Sequence, residues 1–238
     1  MNWIALTTLG LTLSLGLFAE PGKREEGAEI LEKYFSSTEA QKDVLKGFAM
    51  DVQIDAKLPK LHKEGKMNAL RRISSLGKIT YKMLNYLGDD TVKKEVIARY
   101  MQAEVQAKAD SGSIAITEEN YKFKYKGLRQ DGERRIHLFE LKPKQNRVGL
   151  FKGELWLDAA TCLPLRETGR LVKNPSIFLK KIEFTRDYEV RDGIAIPKHV
   201  ESRVDTRLVG SAEIQIDYEN VHKAEDGDEA VEEASVKQ

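Results

Sequence analysis

Residues 50–58 alternate strictly between apolar and polar side chains, and this period of two recurs along most of the chain. Met50, Val52, Ile54, Ala56 and Leu58 occupy one set of positions, and Asp51, Gln53, Asp55 and Lys57 occupy the other. Successive side chains of a β-strand point to opposite faces of its sheet. The segment therefore predicts a strand with one buried face, in a protein whose core is built mainly from a sheet.

Nine further segments show strand patterns, separated by short turns such as those at 75–77, 130–132 and 191–193. They cover residues 66–74, 78–87, 121–125, 136–141, 151–158, 164–171, 178–190, 194–207 and 211–218. Consecutive strands joined by short turns pair as an antiparallel meander. We therefore expect about ten strands in one antiparallel sheet.

Two regions have helical spacing instead. Residues 28–35 and 38–45 open the domain, with Ser36 and Glu39 placed as a capping box. Residues 91–108 follow Asp89 and Asp90, carboxylates that favour the start of a helix. One apolar stripe runs along this second helix and consists of Val92, Val96, Ile97, Tyr100, Met101 and Val105.

A ten-stranded sheet with one apolar face must close on itself, pack against a second sheet, or be covered. The helix at 91–108 is the natural cover, with Val96, Ile97, Tyr100 and Met101 facing the sheet. We expect a mainly β (α+β) fold, in which a curved antiparallel sheet forms an incomplete β-barrel covered by two or three helices. The apolar space between sheet and helices is the form of many hydrophobic-ligand sites.

Ten apolar side chains are predicted to line the concave side, as core residues first and as ligand wall second. They are Met50, Val52, Ile54, Phe123, Leu155, Leu157, Ile182, Phe184, Ile214 and Ile216. In the ribbon at 151–171, alternation directs Phe151, Leu155 and Leu157 inward, and it directs Trp156 outward with its charged neighbours.

The two ends of the chain differ from this body. Residues 4–18 are uncharged and apolar and end at Ala19, which predicts a signal peptide at 1–19 followed by a linker at 20–27. The absence of Lys or Arg before Ile4, and the bulky Leu17, leave an uncleaved anchor as the alternative. A single cysteine, Cys162, cannot form an internal disulfide and is compatible with export.

The last segment, 223–238, carries a net charge of −4, and the rest of the chain carries +5. Such an acidic stretch buries little apolar surface, so we expect a disordered tail after a folded domain at 28–222.

Candidate catalytic and metal-binding groups are sparse. His62, His137, His199 and His222 lack the spacing of a metal site, and Cys162 in its turn reads as a plain turn residue. No nucleophile elbow, phosphate-binding glycine loop or dinucleotide fingerprint occurs. We expect no metal and no cofactor, and an enzyme acting on lipid or cell wall is the third of three functional classes.

The aromatic residues Tyr121, Phe123 and Tyr125 alternate with lysines at 122, 124 and 126. Alternation places the rings and the lysines on opposite faces, which argues against a joint surface for nucleic acid. Core packing is the first interpretation of the rings, and cavity lining is the second.

The stretch GLFKGELWLDAATCLPLRETGRLV, at 149–172, resembles a strand pair of the outer-membrane lipoprotein-sorting (LolA-like) superfamily. The segments GKITY from Gly77 and IEFTRDYEVRDGIAIP from Ile182 fit the same family, and the resemblance covers roughly residues 28–220. It implies an incomplete antiparallel barrel with a helical lid. It also implies a monomeric periplasmic carrier or chaperone, without catalysis, for lipoprotein acyl chains or lipid.

In the lipoprotein carriers an arginine on the second strand helps to hold the lid. The resemblance places Arg71 or Arg72 at about that position, although the Trp and Pro of the family motif are absent here. The same resemblance implies inner- and outer-membrane transport proteins as partners. The alternative is a periplasmic sensor or protein-interaction module of the same fold, without transport.

Overall fold

The computed structural model describes residues 21–109, 111–207 and 210–224. The predicted signal peptide at 1–19 lies outside the described residues, as does the predicted tail beyond Ala224. Ten strands are present: β1 (Phe48–Leu58), β2 (Lys63–Ile73), β3 (Ile79–Gly88), β4 (Tyr121–Asp131), β5 (Arg134–Pro143), β6 (Phe151–Asp158), β7 (Pro164–Leu171), β8 (Leu179–Arg191), β9 (Ile194–Thr206) and β10 (Ser211–Lys223).

All ten strands belong to one sheet, in the order β3-β2-β1-β10-β9-β8-β7-β6-β5-β4. Every neighbouring pair is antiparallel. Within the described residues the sheet does not close, because β3 forms one edge and β4 the other. The predicted fold class is therefore confirmed, with ten antiparallel strands in an open sheet and few helices.

The single meander expected from the sequence is corrected in one respect. Strands β3 and β4 are consecutive in sequence but lie at opposite edges, and the two hairpin runs join through β1 and β10 instead. Ile54 pairs with Ile216, and Ala56 pairs with Ile214. The helical segment after β3 carries the chain from one edge of the sheet to the other.

Helix α1 spans Pro21–Val44 without interruption. Its first seven residues were expected to be a linker, and the expected cap at Ser36 is also wrong, because the Ser36 hydroxyl donates to the Lys33 carbonyl inside the helix. Ile30, Leu31 and Tyr34 are buried on its inner face. Gly27 brings α1 close to β4, since a Cβ added there would lie 2.8 Å from Tyr125 Cβ.

The second helical region begins with α2 (Asp90–Val92), continues through a π-helical turn (Lys93–Ile97) and ends with α3 (Ala98–Ala109). We call these three parts together the covering helix. Asp89 caps it as predicted, because its Oδ1 atom accepts from the Thr91 amide at 2.7 Å. Val105, predicted as part of the apolar stripe, is exposed. A short helix, α4 (Ser111–Ile114), follows.

Two apolar clusters form the core. The β1 cluster lies beneath the covering helix and includes Met50, Val52, Ile54, Met67, Val92, Ile97, Ile214 and Ile216. The β6 cluster lies beneath α1 and includes Ile30, Leu31, Tyr34, Tyr121, Phe139, Leu155, Leu157 and Phe184. Each cluster thus joins one helix to one side of the same sheet face, which we call the concave face.

Within residues 21–109, 111–207 and 210–224, no helix is long and apolar enough to span a membrane.

Candidate functional site: the concave face and its covering helix

The predicted ligand-lining residues divide between the two clusters. Met50, Val52, Ile54, Ile214 and Ile216 belong to the β1 cluster. Leu155, Leu157 and Phe184 belong to the β6 cluster, and Phe123 packs against it. Ile182 is partly buried on β8, paired with Val204. The structure therefore places these residues on one face but in two groups, each filled by neighbouring side chains.

The predicted lid residues face the β1 cluster. Ile97 is buried within that cluster, and Val96, Tyr100 and Met101 pack against it while partly exposed. The interface between helix and sheet is mainly apolar on both sides. Burial of apolar surface is not directional, so it fixes the orientation of the helix on the sheet only weakly. Polar contacts between the helix and the sheet therefore determine that orientation.

Arg71 is the polar side chain that joins the sheet to this helix. It is 5% exposed and occupies the concave face of β2, opposite Met50 of β1. Its Nη2 and Nε atoms donate to Glu104 Oε1 of α3 at 2.7 and 3.1 Å. The second oxygen of that carboxylate accepts from the Tyr81 hydroxyl of β3. The Glu104 carboxylate is thereby held from two neighbouring strands.

Burial opposes the positive charge of Arg71, but Glu104 and the hydroxyls of Tyr81 and Tyr218 raise its pKa above the ordinary value. Burial also raises the pKa of Tyr81, and the adjacent carboxylate raises it further. Arg71 is therefore a cation and Tyr81 a neutral donor at every physiological pH. The arrangement is a charge-assisted contact, stronger than a bond between neutral groups.

The second candidate latch, Arg72, lies on the other face of β2. Met67, Ala69, Arg71 and Ile73 share the concave side, and Arg72 alternates with them. Of the two arginines, only Arg71 is placed against the covering helix.

A second ion pair lies on the concave face between the two clusters. Arg186 Nη1 of β8 donates to Glu167 Oε2 of β7 at 3.2 Å. The carboxylate is buried, whereas 46% of the Arg186 side chain remains accessible. The Arg186 guanidinium also stacks over the Phe184 ring, with Cζ 4.5 Å from the ring centroid.

Tyrosines link the two ion pairs into one polar seam across the concave face. Tyr100 of the covering helix bonds to Tyr218 of β10, and Arg186 lies close enough to lower the pKa of Tyr100, although burial raises it overall. Tyr188 bonds to Glu167, and burial raises the pKa of Tyr188 well above its ordinary value. The seam therefore runs from Glu104 to Glu167, with apolar clusters on both sides.

Sequence reasoning missed Arg186 and Glu167. Both are charged residues at positions whose neighbours two residues away face the concave side, such as Phe184 for Arg186. A charged residue on the apolar face of an alternating strand is the signal that could have identified them, as it does for Arg71.

A polar trough of about 530 Å³ lies on the opposite, outer face of β6 to β10. Its charged lining consists of Lys152, Arg170, Glu183, Glu201, Arg203 and Glu213. Phe184 and Ile214 border it, although register directs their side chains to the concave face. The trough is lined by both signs of charge, so it suits water and polar groups rather than an acyl chain.

Cys162 was expected to be a plain turn residue, and it does end the turn after β6, where its amide donates to the Asp158 carbonyl at 2.9 Å. It is also a core residue, which the sequence did not predict. Its backbone has φ 57°, and its side chain is buried within the β6 cluster. His137 bonds to the Tyr125 hydroxyl at 2.8 Å, and His199 bonds to Asp217 at 2.6 Å. Among the described residues, no group of three or more His, Cys, Asp or Glu side chains is placed to hold a metal ion.

No family model and no curated protein matches the sequence. Several solved structures align with most of this chain. A LolA superfamily protein from Nitrosomonas europaea aligns with 13% identity and a TM-score of 0.40, covering 84% of this chain and 93% of the other. A DUF1329 family protein from Desulfovibrio piger aligns with 11% identity and a TM-score of 0.43, covering 82% and 92%.

A putative outer membrane lipoprotein-sorting protein domain from Vibrio parahaemolyticus aligns with 12% identity and a TM-score of 0.39, covering 86% of this chain and 96% of the other. The solved structures that align thus include proteins of the superfamily that the sequence resembles. At these identities and TM-scores the similarity carries no argument about a ligand or a partner.

Proposed function

We propose that the protein is a periplasmic carrier or chaperone that binds lipoprotein acyl chains or lipid on its concave face and moves them towards the outer membrane. A signal peptide at residues 1–19 would direct export to that compartment and would then be cleaved. Membrane transport proteins would load and receive the cargo. The role is binding without catalysis.

The observation that carries the proposal is the contact between Arg71 and Glu104. The covering helix packs on the apolar β1 cluster. Towards the C-terminal end of that helix, Glu104 is held by the Arg71 guanidinium of β2 and by the Tyr81 hydroxyl of β3. Breaking this contact and tilting the helix would expose the β1 cluster, which includes Met50 and Ile54. An acyl chain could then replace the helix, because each buried CH₂ contributes about 0.8 kcal/mol.

Arg71 and Glu104 act as a latch in this proposal. Holding the helix closed protects apolar surface when no cargo is bound. Opening requires the pair to separate, so the latch sets the rate at which ligand enters and leaves more than the affinity of the apolar bed itself. The role for Arg72 proposed from the sequence has no comparable support, since it faces the other side of the sheet.

A stopped-flow titration with a fluorescent fatty acid tests the proposal. The wild type should bind the probe stoichiometrically. The paired substitution Arg71→Met with Glu104→Met replaces the latch by apolar groups without leaving a buried charge. We expect it to take up and release the probe about tenfold faster. The matched control is Arg99→Gln, which breaks the exposed pair of Arg99 with Glu95 on the same helix.

Native mass spectrometry of the protein from its own host identifies the cargo. A co-purified lipid or acylated peptide would support the carrier. If the wild type carries no lipid and neither the wild type nor the latch variant takes up the probe, the carrier proposal is wrong.

The second candidate is a protein-interaction module without transport. It is favoured by the edge of the sheet at β3, where Met83, Leu84 and Leu87 are exposed. An unpaired edge strand offers free backbone groups to a partner strand. Substitution of Leu84 and Leu87 by Lys would then abolish partner capture and leave probe uptake unchanged.

A further inference from the structure

The loop that joins β7 to β8 exposes two adjacent large apolar side chains. Ile177 is 80% exposed and Phe178 is 56% exposed. Single apolar residues on a surface are ordinary, but an isoleucine and a phenylalanine side by side at a loop tip are costly to leave in water. Neither belongs to the β1 cluster or the β6 cluster.

Several backbone groups of this tip have hydrogen-bond partners within the protein. Arg207 donates from Nε to the Ile177 carbonyl at 2.8 Å and from its amide to the Phe178 carbonyl at 2.9 Å. The Leu179 carbonyl accepts from Asn174 Nδ2 at 2.9 Å. The Phe178 amide bonds to the Ser176 hydroxyl at 3.3 Å, and the Leu179 amide bonds to the Ser176 carbonyl at 3.2 Å.

This bonding has a physical consequence for transfer out of water. Moving a carbonyl or amide into an apolar medium is costly unless it is already hydrogen-bonded. Because the Ile177 carbonyl and the amides and carbonyls of Phe178 and Leu179 have internal partners, fewer backbone groups at the tip are left unpaired when it leaves water. A flexible apolar loop without such bonds would lack this property.

The surroundings of the tip are basic. Lys173 and Lys180 flank it in sequence, and both are exposed, as is Arg207. Of the nearby carboxylates, Glu183 pairs with Lys181, and Asp205 and Glu213 share Arg203.

The neighbouring turn adds to the same character. It spans Pro59–Leu61 and lies at the same end of the sheet, where Lys60 packs beside Gly210. Leu61 in that turn is an exposed apolar residue. An apolar tip with Lys60, Lys173, Lys180 and Arg207 near it is complementary to a membrane surface that contains anionic lipids.

We propose that the loop at 172–178 docks the protein on anionic lipid membranes, with Ile177 and Phe178 entering the interfacial region and the lysines contacting the headgroups. The docking surface is separate from the concave face, so it does not depend on what the concave face binds. It would bring the carrier to a membrane reversibly, because two side chains and a few cations give only weak attachment.

The test places an environment-sensitive fluorophore at the tip of the mature chain, residues 20–238. Ile177→Cys can be labelled with a nitrobenzoxadiazole maleimide, since the native Cys162 is buried. The label should brighten and shift to the blue with vesicles of phosphatidylcholine and phosphatidylglycerol, and much less with phosphatidylcholine alone. A position-specific label reports the loop itself even if another part of the chain also binds the vesicles.

Leu76→Cys is the matched control, because Leu76 is 91% exposed in the turn between β2 and β3 at the opposite end of the sheet. Its label should not change. Lys173→Gln with Lys180→Gln, in the labelled Ile177→Cys chain, should weaken binding by at least about tenfold and remove the preference for the anionic lipid. An unchanged label at 177 with anionic vesicles, or equal responses at 177 and 76, would overturn the proposal.

Discussion

Arg71 on β2 and Glu104 on α3 form an ion pair in which the guanidinium is buried and the carboxylate is partly exposed. Two guanidinium nitrogens, Nη2 at 2.7 Å and Nε at 3.1 Å, donate to one carboxylate oxygen. Glu104→Ala leaves this guanidinium buried without its acid, and such a loss destabilises a protein by about 3–5 kcal/mol. We expect the free energy of unfolding, measured with urea, to fall by about 3 kcal/mol.

The control for this prediction is on the same helix. Glu95→Ala breaks the exposed pair with Arg99, and pairs of this kind contribute about 0.5 kcal/mol or less. Arg71→Met combined with Glu104→Met should recover most of the stability lost in Glu104→Ala, because no charge is then left buried. Equal losses for Glu104→Ala and Glu95→Ala would show that the buried pair contributes nothing special.

Most of the strands could be predicted because alternation is a local property. The ribbon shows this directly, since Phe151, Leu155 and Leu157 are buried as the pattern indicated. The pairing of β1 with β10 could not be predicted in the same way. It joins segments about 160 residues apart, and neither segment has a sequence feature that identifies the strand with which it pairs.

The contact between Arg71 and Glu104 shows how far the candidate site could be predicted from the sequence. Arg71 and Arg72 are adjacent in sequence and equally basic, but alternation with Met67, Ala69 and Ile73 selects Arg71. The acid that meets it was not predicted. Glu104 falls within the helical stripe, four residues after Tyr100 and seven after Ile97. Which strand residue it meets depends on how the helix is rotated over the sheet, and the π-helical turn at Lys93–Ile97 changes that rotation.

The close approach of β6 and β7 depends on two facing glycines. Gly153 pairs with Gly169, and a Cβ at position 153 would lie 1.9 Å from the Thr168 carbonyl oxygen. Backbone atoms cannot move aside cheaply, so Gly153→Ala should lower the free energy of unfolding by about 2–3 kcal/mol. Urea denaturation measures the change.

Gly22→Ala is the matched substitution, because a Cβ at position 22 in α1 meets nothing within 4 Å. It should leave the stability within about 0.5 kcal/mol of the wild type or raise it. If Gly153→Ala were as harmless as Gly22→Ala, the two strands would be free to separate, and the glycine pair would not determine their spacing.

His199 should make stability depend on pH. Burial alone would lower its pKa, but hydrogen bonds to Asp217 and Glu201 outweigh burial and raise the pKa above 6.5. A raised pKa in the folded state means that protonation stabilises the fold. This contribution is complete below about pH 6.5 and is lost as the pH rises through the folded-state pKa.

His199→Gln removes that contribution. The wild type should therefore exceed the variant in free energy of unfolding by more at about pH 5 than at about pH 9. Urea unfolding of both proteins at the two pH values measures the two gaps. A gap that is constant, or larger at the higher pH, would contradict the assignment.

Cys162 should react only when the protein opens. Its thiol is 4% exposed within the β6 cluster, and burial raises its pKa, so both access and thiolate formation are suppressed. Ala160→Cys adds an exposed thiol to the same turn, two residues away, and provides a reference within one molecule. Mass spectrometry of timed alkylation should show the thiol at 160 modified at least about a hundredfold faster than the thiol at 162. Urea below the unfolding transition should speed only the slow phase, because only that phase requires opening of the cluster. Similar rates for the two thiols in buffer would mean that the β6 cluster beneath α1 is open to reagent in the native state.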